Sequence, residues 1–573
     1  MFPDLDLNSN VYSKESIKSF IDAAINFHKN NASARDRVIK SLYNSHNGIV
    51  RQSTKKILEQ KYGKQVSTKF IDYKLGYSKT KLLKGEYLNM EFAPIVSSIN
   101  PDVLEKKVDF ANLIKGASAM KSFLTALKQE TGIDPLGGVE VPDKEDPSLL
   151  DKMYPKTANE IYMQLLLNEK IESHYLKLKG QTTLIDLIVT SECHGVIEKD
   201  QNGEDVFRII NPRDAVFQEI DNDFFAEESP FKGERRMMYV KDIIALYGDE
   251  LSPTDKEKLT KGFEDFANLD ESGFRKINGI PAVETYKIQY KVIRTNYTKV
   301  SKSKSGPEYR KTIEPEYYHE NKKKIEKDVK NGKYTIEKTY SDDLLEGIKI
   351  GEDIYVGLGR SEYQVHRLNK SKKYKAEYDY VNFLFGTVDG VRISLQALIN
   401  SLSELNNIIM HMIVREIKKL KGKVIVYDEA LKPKNKSMKS IFFDMTEDGL
   451  LKINSSADGN YSGMDVQNAS NIIQELDIGL SQSFDILLKV KNDVEMTLDR
   501  ITGINESREG NTPISQTATG TLQNVEASRS ITRDLFYGHE MFMNKVFSLL
   551  AEKTKLNEEY LDSNKIKILL RET

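Results

Sequence analysis

Few residues of this chain have the types and spacing that catalysis or metal binding requires. Cys193 is the single cysteine and stands beside His194. Adjacent side chains diverge, and no second pair completes a tetrahedral metal site, so we expect a structural role for both residues. Two groups of acidic residues have ligand chemistry for a divalent ion, namely Glu219, Asp221 and Asp223, and Asp444, Glu447 and Asp448. Because the chain has 86 acidic residues, we interpret both groups as solvated loop carboxylates.

The patterns of nucleotide-dependent and nucleophilic enzymes are missing. A packaging ATPase needs the phosphate-cradling loop G-x-x-x-x-G-K-[ST], and no segment matches it. Gly357 and Gly359 lie in GLGR, a turn without the third glycine and the helix start of a dinucleotide site. Ser481 and Ser483 have no positioned His and Asp partners, so no catalytic triad can be argued. We therefore expect no enzymatic activity, no cofactor and no metal.

The bulk composition excludes further classes. A chain of 573 residues and 65.4 kDa is too long for one core and predicts roughly three or four subdomains. The formal net charge of -2 argues against tight nucleic-acid binding, but it allows DNA to slide past. No apolar run reaches the ~20 residues that cross a bilayer, and the start has no signal-peptide pattern. The lone cysteine suits a reducing compartment. We expect no membrane partner and a protein that stays in the cytoplasm where it is made.

The elements that would position any site are mostly helical, and the predicted fold class is α+β, predominantly helical. Short amphipathic helices are predicted within residues 11–130. A loop rich in Gly, Pro and Asp over 132–149 precedes a long helix predicted for 157–179. The strand-like segment VFRIINPRDAVF follows. Two further helices come next, the second with Ser252 as its N-cap.

Residues 283–380 differ in pattern from the rest of the chain. Apolar and polar residues alternate, with the β-branched and aromatic content of strands, which predicts an inserted β-rich module. Within it, residues 301–340 have eleven Lys or Arg and seven Asp or Glu. We interpret this stretch as a solvated surface, with contact to DNA or to a partner protein as the alternative.

Three long helices are predicted after the module, over 391–420, 464–500 and 515–551. The apolar seam of the first is Leu395, Leu398, Leu402, Leu405, Ile409 and Met412. The second helix is predicted to end at Gly503, and its seam is Ile473, Leu476, Leu480, Leu487, Val490, Val494 and Leu498. The polar sides of the first helix carry Gln396, Asn400, Asn406 and Asn407. Periodicity fits two arrangements equally well, contacts between subunits or the core of a compact monomer.

The order of these parts, over most of the chain, resembles the portal family of tailed double-stranded DNA bacteriophages, in a style similar to that of crAss-like phages. Residues 156–196 look like the family's wing helices, and NPRDAVFQEIDNDFF and RRMMYVKDIIALYGDEL resemble the strand and helix before the clip. Residues 380–409 are similar to the return from clip to stem. Residues 501–542 are the most specific match, because they resemble the Gly- and Ser-rich joint of portals and the helix after it.

The resemblance implies a ring subunit with wing, stem, clip and crown. Its parts would be an N-terminal wing at 1–238, a first stem region at 239–282, the clip at 283–380, the second stem helix at 381–422, a wing with tunnel loop and long helix at 423–535, and a C-terminal crown at 536–573. Portals form rings of about twelve subunits at one capsid vertex, through which the double-stranded DNA is packaged and ejected.

The resemblance also implies partners and a location. Portal partners are the terminase packaging motor, the head-tail adaptor and the major capsid protein, and the ring is a virion component assembled in the host bacterial cytoplasm. Another structural virion protein, such as a tail adaptor or capsid component, is the main alternative. A nucleic-acid-processing enzyme is the other alternative, although it would be expected to have clustered carboxylates in a recognisable frame.

Two segments are candidates for the tunnel loop that would meet the DNA. The turn-forming segment 454–463 has small and polar residues suited to weak sliding contact, with candidates Asn454, Ser455, Ser456, Asp458, Asn460 and Tyr461. The lysine-rich segment 432–439 would give a salt-sensitive grip, through Lys432, Lys434, Lys436 and Lys439. Either segment could equally be an ordinary surface loop.

Overall fold

A computed structural model of the chain shows a mixture of helix and sheet, as the predicted α+β class requires. The structure describes residues 12–49, 56, 59, 72–90, 94–97, 105–106, 108–109, 112, 158–200, 203–261, 274–301, 309–313, 317–318, 321–361, 364–368, 374–388, 391–419, 422–426, 437, 439–440, 474–478, 482–510 and 518–556. The chain divides into two compact units. Unit 1 comprises Met1–Tyr43, Thr80–Gln396 and Thr532–Thr573, and unit 2 comprises Asn44–Lys79 and Ala397–Ile531.

The described helices are numbered in chain order. They are α1 Lys14–His46, α2 Leu75–Leu88, α3 Ala158–Ser173, α4 Leu176–Thr190, α5 Val240–Tyr247, α6 Pro253–Lys261, α7 Lys322–Lys330, α8 Leu395–Lys419, α9 Gln482–Thr502 and α10 Ala518–Leu556. The backbone N–H of Asp255 donates to Ser252 Oγ at 3.2 Å, so the predicted N-cap of α6 is confirmed. The first helix is longer than predicted, since α1 continues over 33 residues.

The described strands are β1 Glu192–Lys199, β2 Asp205–Ile210, β3 Ala215–Phe217, β4 Phe231–Tyr239, β5 Phe274–Ile277, β6 Ile280–Ser301, β7 Tyr309–Ile313, β8 Thr335–Ile350, β9 Ile354–Arg360, β10 His366–Leu368, β11 Tyr374–Ala376, β12 Tyr380–Leu384, β13 Thr387–Val388, β14 Val391–Arg392, β15 Gly422–Val426 and β16 Gln474–Ile478. The alternating pattern that predicts strands after residue 283 is confirmed by β6, a single strand of 22 residues.

The largest sheet of unit 1 is built around β6. Its strand order is β10-β11-β8-β6-β4-β3, and β5 and β7 also pair with β6, while β9 pairs with β8. β6 is antiparallel to β8, from the pair Thr285 and Ile350 to the pair Val300 and Thr335. Because β3 and β4 belong to this sheet, the β-rich region begins well before residue 283 and is not confined to the predicted inserted module of 283–380.

Helix α1 covers one face of this sheet. Alternate residues of a strand point to the same face, and α1 has apolar residues at helical spacing. The two sets form one buried cluster with Ile17, Phe20, Ile21, Ala24 and Ile25 from α1 and Tyr286, Ile288, Tyr290 and Val292 from β6. Phe20 stacks on Tyr290 with ring centroids 3.9 Å apart. Gly347 of β8 leaves room for this packing, because a Cβ there would lie 2.4 Å from Ile21 Cδ1 and the isoleucine side chain would have to shift.

A smaller sheet of unit 1 has the strand order β12-β1-β2. Every residue of β12 is buried, which agrees with the apolar and aromatic residues on either side of Asn382. Phe542 of α10 contacts Phe207 of β2 and Phe383 of β12, with ring centroids 6.3 and 6.5 Å apart. Gly538 brings α10 close to this sheet, because a Cβ there would already lie 3.2 Å from Phe383.

The prediction of one helix over 157–179 is wrong. The helix α3 ends at Ser173 and α4 begins at Leu176. Between them, Tyr175 has φ 52° and ψ 43°, in the left-handed region that interrupts helical hydrogen bonding. No Gly or Pro marks this break in the sequence, so apolar periodicity alone could not locate it.

The prediction of a helix over 464–500 is wrong in its first part. β16 pairs with β15 in unit 2, from the pair Gly422 and Ile478 to the pair Val426 and Gln474. Leu476 is therefore a strand residue, and α9 begins at Gln482. The seam positions Ile473 and Leu480 lie outside the described residues. Short apolar runs fit a period of two as well as a period of three or four, and pairing with a distant strand decides between them.

Candidate functional site

The predicted DNA-facing residues lie almost entirely outside the described part of the chain. This holds for Asn454, Ser455, Ser456, Asp458, Asn460 and Tyr461, and for Lys432, Lys434 and Lys436. Lys439 is described, and it is exposed. The tunnel-loop assignment therefore stays a prediction.

The predicted second stem helix is α8, and part of its apolar seam is buried within unit 2. Ile409 and Ile413 of α8 form a buried cluster with Val494 of α9. Partly buried residues pack against this cluster, namely Leu402, Met410, Phe484 and Leu487. The seam positions Leu402, Ile409, Leu487 and Val494 therefore belong to the core of a helix pair, one of the two arrangements that periodicity allows.

Other apolar positions of the helix pair reach the surface. Leu398 and Leu405 of α8 are 43% and 42% exposed, and Ile486 and Val490 of α9 are 54% and 39% exposed. We call these four residues the exposed apolar positions. Leu398 and Leu405 are seven residues apart and Ile486 and Val490 are four apart, so each pair lies on one side of its helix. Single exposed leucines are common, but apolar pairs at helical spacing are typical of a contact surface.

Buried asparagine side chains form hydrogen bonds on the side of α8 that faces away from Leu405. Asn400 and Asn407, expected on the polar sides of the helix, are 3% and 6% exposed. Ser45 Oγ donates to Asn400 Oδ1 at 2.6 Å. The backbone N–H of Tyr73 donates to Asn407 Oδ1 at 3.1 Å, and Asn407 Nδ2 donates to a carboxylate oxygen of Asp72 at 3.2 Å. Ser45, Asp72 and Tyr73 therefore contact this side of α8.

A buried lysine anchors the joint between α9 and α10. The side chain of Lys79 is 7% exposed, and its Nζ lies 2.7 Å from Asp499 Oδ1 and 2.6 Å from Glu509 Oε1. The same Nζ donates to the carbonyl oxygen of Ile504 at 3.0 Å. A cation with two carboxylates and a carbonyl group is fully compensated in its buried position. Lys79 therefore ties the start of the joint to the end of α9.

Gly503 lies in this joint at a position where other backbone and side-chain atoms approach it closely. The helix α9 ends at Thr502, so the predicted end of the helix at Gly503 is confirmed. Gly503 has φ +63°, and a Cβ there would lie 2.7 Å from Ile531 Cβ and 2.8 Å from the carbonyl oxygen of Ser528. Arg508 Nη1 donates to the carbonyl oxygens of Gly503 and Ser528, at 3.0 and 3.2 Å. Only glycine fits this backbone conformation and this space.

A buried ion-pair network in unit 1, which the sequence analysis missed, surrounds Glu192. Arg35 Nη2 donates to Glu192 Oε1 at 2.9 Å, and Arg392 Nη1 donates to Glu192 Oε2. His194 Nε2 lies 3.5 Å from the same carboxylate. Burial alone would raise the pKa of Glu192, but the two guanidinium groups hold that pKa well below its usual range. Arg392 also pairs with Glu219, so this acidic residue has a structural partner.

Cys193 and Asp223, whose residue types are typical of nucleophiles and metal ligands, also have structural roles. Cys193 is fully buried, and burial raises the pKa of its thiol, which makes it unreactive. A carboxylate oxygen of Asp223 accepts the backbone N–H of Glu228 at 2.7 Å. Among the described residues, no group of three or more His, Cys, Asp or Glu is arranged to hold a metal ion. Asp444, Glu447 and Asp448 lie outside those residues.

The glycines of GLGR lie in a strand rather than in the predicted turn. Gly357 and Gly359 are part of β9, which pairs with β8. The backbone N–H of Gly357 donates to Glu250 Oε2 at 2.6 Å. The next described element after these glycines is the strand β10, so no helix start for a phosphate-binding turn lies among the described residues at this position.

A second group that the sequence analysis missed is a small pocket of unit 1 with a basic lining. Its charged lining residues are Lys232, Lys291, Lys375, Lys545, Glu227 and Glu377. We call it the lysine pocket. Its lysines come from β4, β6, β11 and α10, which are far apart in the sequence, so no local spacing could signal it.

No protein-family model matches the chain, and no curated protein is significantly similar to it. None of the helices within the described ranges is both long enough and apolar enough to cross a membrane. The functional proposal therefore depends on the order of the segments along the chain and on the contacts of the described residues.

Proposed function

We propose that this chain is a portal protein of a tailed double-stranded DNA bacteriophage. In this role it is one subunit of a ring at a capsid vertex, and the ring forms the channel for packaging and ejecting the genome. The observation that carries the proposal is the set of exposed apolar positions on α8 and α9. These helices lie where the resemblance assigns the second stem helix and the following wing.

A second copy of the chain is the occupant that these positions favour. A ring repeats one contact between different surfaces of neighbouring subunits until it closes. Covering apolar side chains stabilises that contact by about 25 cal/mol per Å² removed from water. The formal net charge of -2 over 573 residues adds little repulsion between copies.

The same charge balance suits a channel. Duplex DNA carries one negative charge per ~1.7 Å of its axis, so a wall with many unpaired lysines would hold it. A near-neutral chain lets DNA move past without a strong grip. The proposed partners are a packaging motor and later a head-tail adaptor, docked on the clip, and the capsid around the ring.

Replacing one exposed apolar position with a charge tests the ring. Val490→Glu puts a carboxylate where a neighbouring subunit would cover the side chain, and a buried unpaired charge is costly. Asn492→Glu is the matched control, because Asn492 is exposed and lies about 200° around α9 from Val490. We expect the unchanged chain and the control to form rings of about twelve copies by native mass spectrometry and negative-stain imaging.

We expect Val490→Glu to give monomers with unchanged helical circular dichroism. Rings that persist in Val490→Glu would contradict a contact at this position. Monomers and dimers alone from the folded, unchanged chain would contradict the portal proposal itself and favour another structural virion protein.

A further inference from the structure

The lysine pocket contains more positive than negative charge. Its lining has four ammonium groups and two carboxylates. Lys545 engages both carboxylates, because its Nζ donates to Glu227 Oε1 and to Glu377 Oε2, each at 2.8 Å. Lys375 Nζ lies 3.8 Å from Glu227 Oε2. Lys545 therefore pairs with both carboxylates, and Lys375 also pairs with Glu227.

Lys232 and Lys291 line the same pocket without a carboxylate of their own. Lys232 is 3% exposed, and its Nζ donates to the carbonyl oxygens of Phe225 at 2.8 Å and Tyr380 at 3.4 Å. Lys291 Nζ lies 4.3 Å from the centroid of the Tyr378 ring, and Lys232 Nζ lies 5.1 Å from the same centroid. Within the described part of unit 1, neither ammonium forms an ion pair.

The sheet brings these two lysines to one face. Lys232 of β4 is paired in register with Gln289 of β6. Because alternate residues of a strand share a face, Lys232, Gln289 and Lys291 lie together. Ile288 and Tyr290 point to the opposite face, which α1 covers. The strand register therefore places the two lysines on one face of the sheet, where both ammonium groups lie near the Tyr378 ring.

The surroundings penalise the charged form of both lysines. Burial, with the neighbouring charge of Lys291, lowers the pKa of Lys232 to about 7. Burial, with the neighbouring charge of Lys375, lowers the pKa of Lys291 to about 8. A negative charge placed between them would offset both effects.

We propose that the lysine pocket binds a small inorganic anion between the ammonium groups of Lys232 and Lys291. The pocket has room for about one water-sized group. The fit is therefore to a halide ion, or to one oxygen of a phosphate or sulfate ion, and not to a nucleotide. A bound anion links strands β4 and β6 with the neighbouring β11 and α10. This inference goes beyond the proposed function and does not depend on ring formation.

The test compares thermal unfolding of the full chain in different potassium salts at one ionic strength. Gluconate is too large for the pocket and serves as the reference, and chloride, bromide and phosphate are the probes. Lys291→Met keeps the aliphatic part of the side chain and removes its charge. Lys241→Met is the control, because Lys241 is exposed and its Nζ also lies near a tyrosine ring, 6.0 Å from the centroid of Tyr239.

We expect the unfolding midpoint of the unchanged chain and of Lys241→Met to rise by a few degrees when a probe anion replaces gluconate. We expect no such rise in Lys291→Met, and in gluconate this variant should be at least as stable as the unchanged chain, because a like-charge contact is gone. The probe with the larger difference in rise between the unchanged chain and Lys291→Met identifies the halide or the oxyanion as the ligand, because phosphate also stabilises folded proteins without a specific site.

A direct measurement keeps the inference testable if a variant folds poorly. Crystals of the unchanged chain soaked in bromide should give an anomalous scattering peak between Lys232 and Lys291. Absence of that peak together with no rise of the midpoint in phosphate, or an equal rise of the midpoint in Lys291→Met, would overturn the anion site.

Discussion

Gly503 shows how a single residue can determine the joint between α9 and α10. Its positive φ excludes most side chains, and its close contacts with Ile531 and Ser528 exclude a Cβ for a second reason. Gly510, in the same joint, also has a positive φ of +93° but nothing within 4 Å of a Cβ. A comparison of the two glycines therefore separates the free-energy cost of the positive φ from the cost of steric overlap.

We predict that Gly503→Ala destabilises the protein more than Gly510→Ala. Gly510→Ala should cost about 1 kcal/mol for the left-handed conformation alone. Gly503→Ala adds a steric overlap and should cost on the order of 2 to 4 kcal/mol in total. Urea unfolding followed by circular dichroism measures both losses, and equal losses would show that the space around Gly503 is not the limiting factor.

At the scale of single residues, the sequence predicts the structure where a residue interacts with its neighbours along the chain. The cap at Ser252 and the helix end at Gly503 follow from local backbone chemistry, and both are found. The partners of Glu192 do not follow, because Arg35 and Arg392 are 157 and 200 residues away. The lysine pocket is not predictable for the same reason, because only the pairing of distant strands brings its charged side chains together.

The end of the long hairpin formed by β6 and β8 is an element with its own core. Tyr297 stacks on Tyr318 with ring centroids 3.6 Å apart, and Ile325 of α7 completes the buried cluster. None of these residues belongs to the cluster beneath α1. We call residues 297–338 the hairpin tip, and they lie within the segment that the resemblance assigns to the clip.

We predict that the hairpin tip can be removed without unfolding unit 1. Replacing residues 297–338 with Asn-Gly joins the paired residues Asn296 and Thr339 through a short hairpin turn. The shortened chain should keep its rings and most of its thermal stability, because the cluster beneath α1 is untouched. It should no longer copurify with the packaging motor or the head-tail adaptor from phage-infected cells.

Two other outcomes are informative for the hairpin tip. Shortened rings that still capture motor and adaptor would remove the clip assignment. Loss of the folded chain would show that the tip supports the sheet, and a second variant, Tyr318→Ala, would then test docking with a smaller change.

At the scale of elements, periodicity predicts a helix or strand well when the pattern is long. The alternation after residue 283 predicts β6, and the seam of α8 predicts a long helix, and both are found. The break at Tyr175 and the strand β16 are not predictable in this way. The first has no Gly or Pro signal, and the second depends on pairing with β15, which is about 50 residues away.

At the scale of the whole molecule, the proposed channel requires that some part of the chain meets DNA. The predicted segments 432–439 and 454–463 lie mainly outside the described residues, so they are tested chemically. We predict that a photoreactive group at Tyr461 crosslinks to DNA in packaged particles, because a turn-forming segment suits sliding contact. Empty particles are the control.

The same experiment with a photoreactive group at Lys436 separates the two segments. Crosslinks from Lys436 alone would move the tunnel loop to the lysine-rich segment and predict a strong salt dependence. Crosslinks from neither position would remove both segments from the channel wall.

Fold class is the part of the whole-molecule prediction that follows from sequence. Mixed helix and sheet are expected from the two periodicities, and both are present. The extent of the main sheet is not expected, because the strands β3 and β4 join it from outside the predicted module. Strand partners are chosen by tertiary contacts, which a linear pattern does not record.

The length of β6 has a mechanical consequence. A strand of 22 residues extends about 70 Å, and β6 runs from the sheet beneath α1 to the hairpin tip. Tension applied to the tip along β6 and β8 would load in shear the hydrogen bonds that join β6 to β4 and β8 to β9, so that many resist together, whereas a force that parts the strands would open the bonds one after another. A motor or adaptor docked at the hairpin tip would therefore pull on a long pair of strands that is anchored by the core of unit 1.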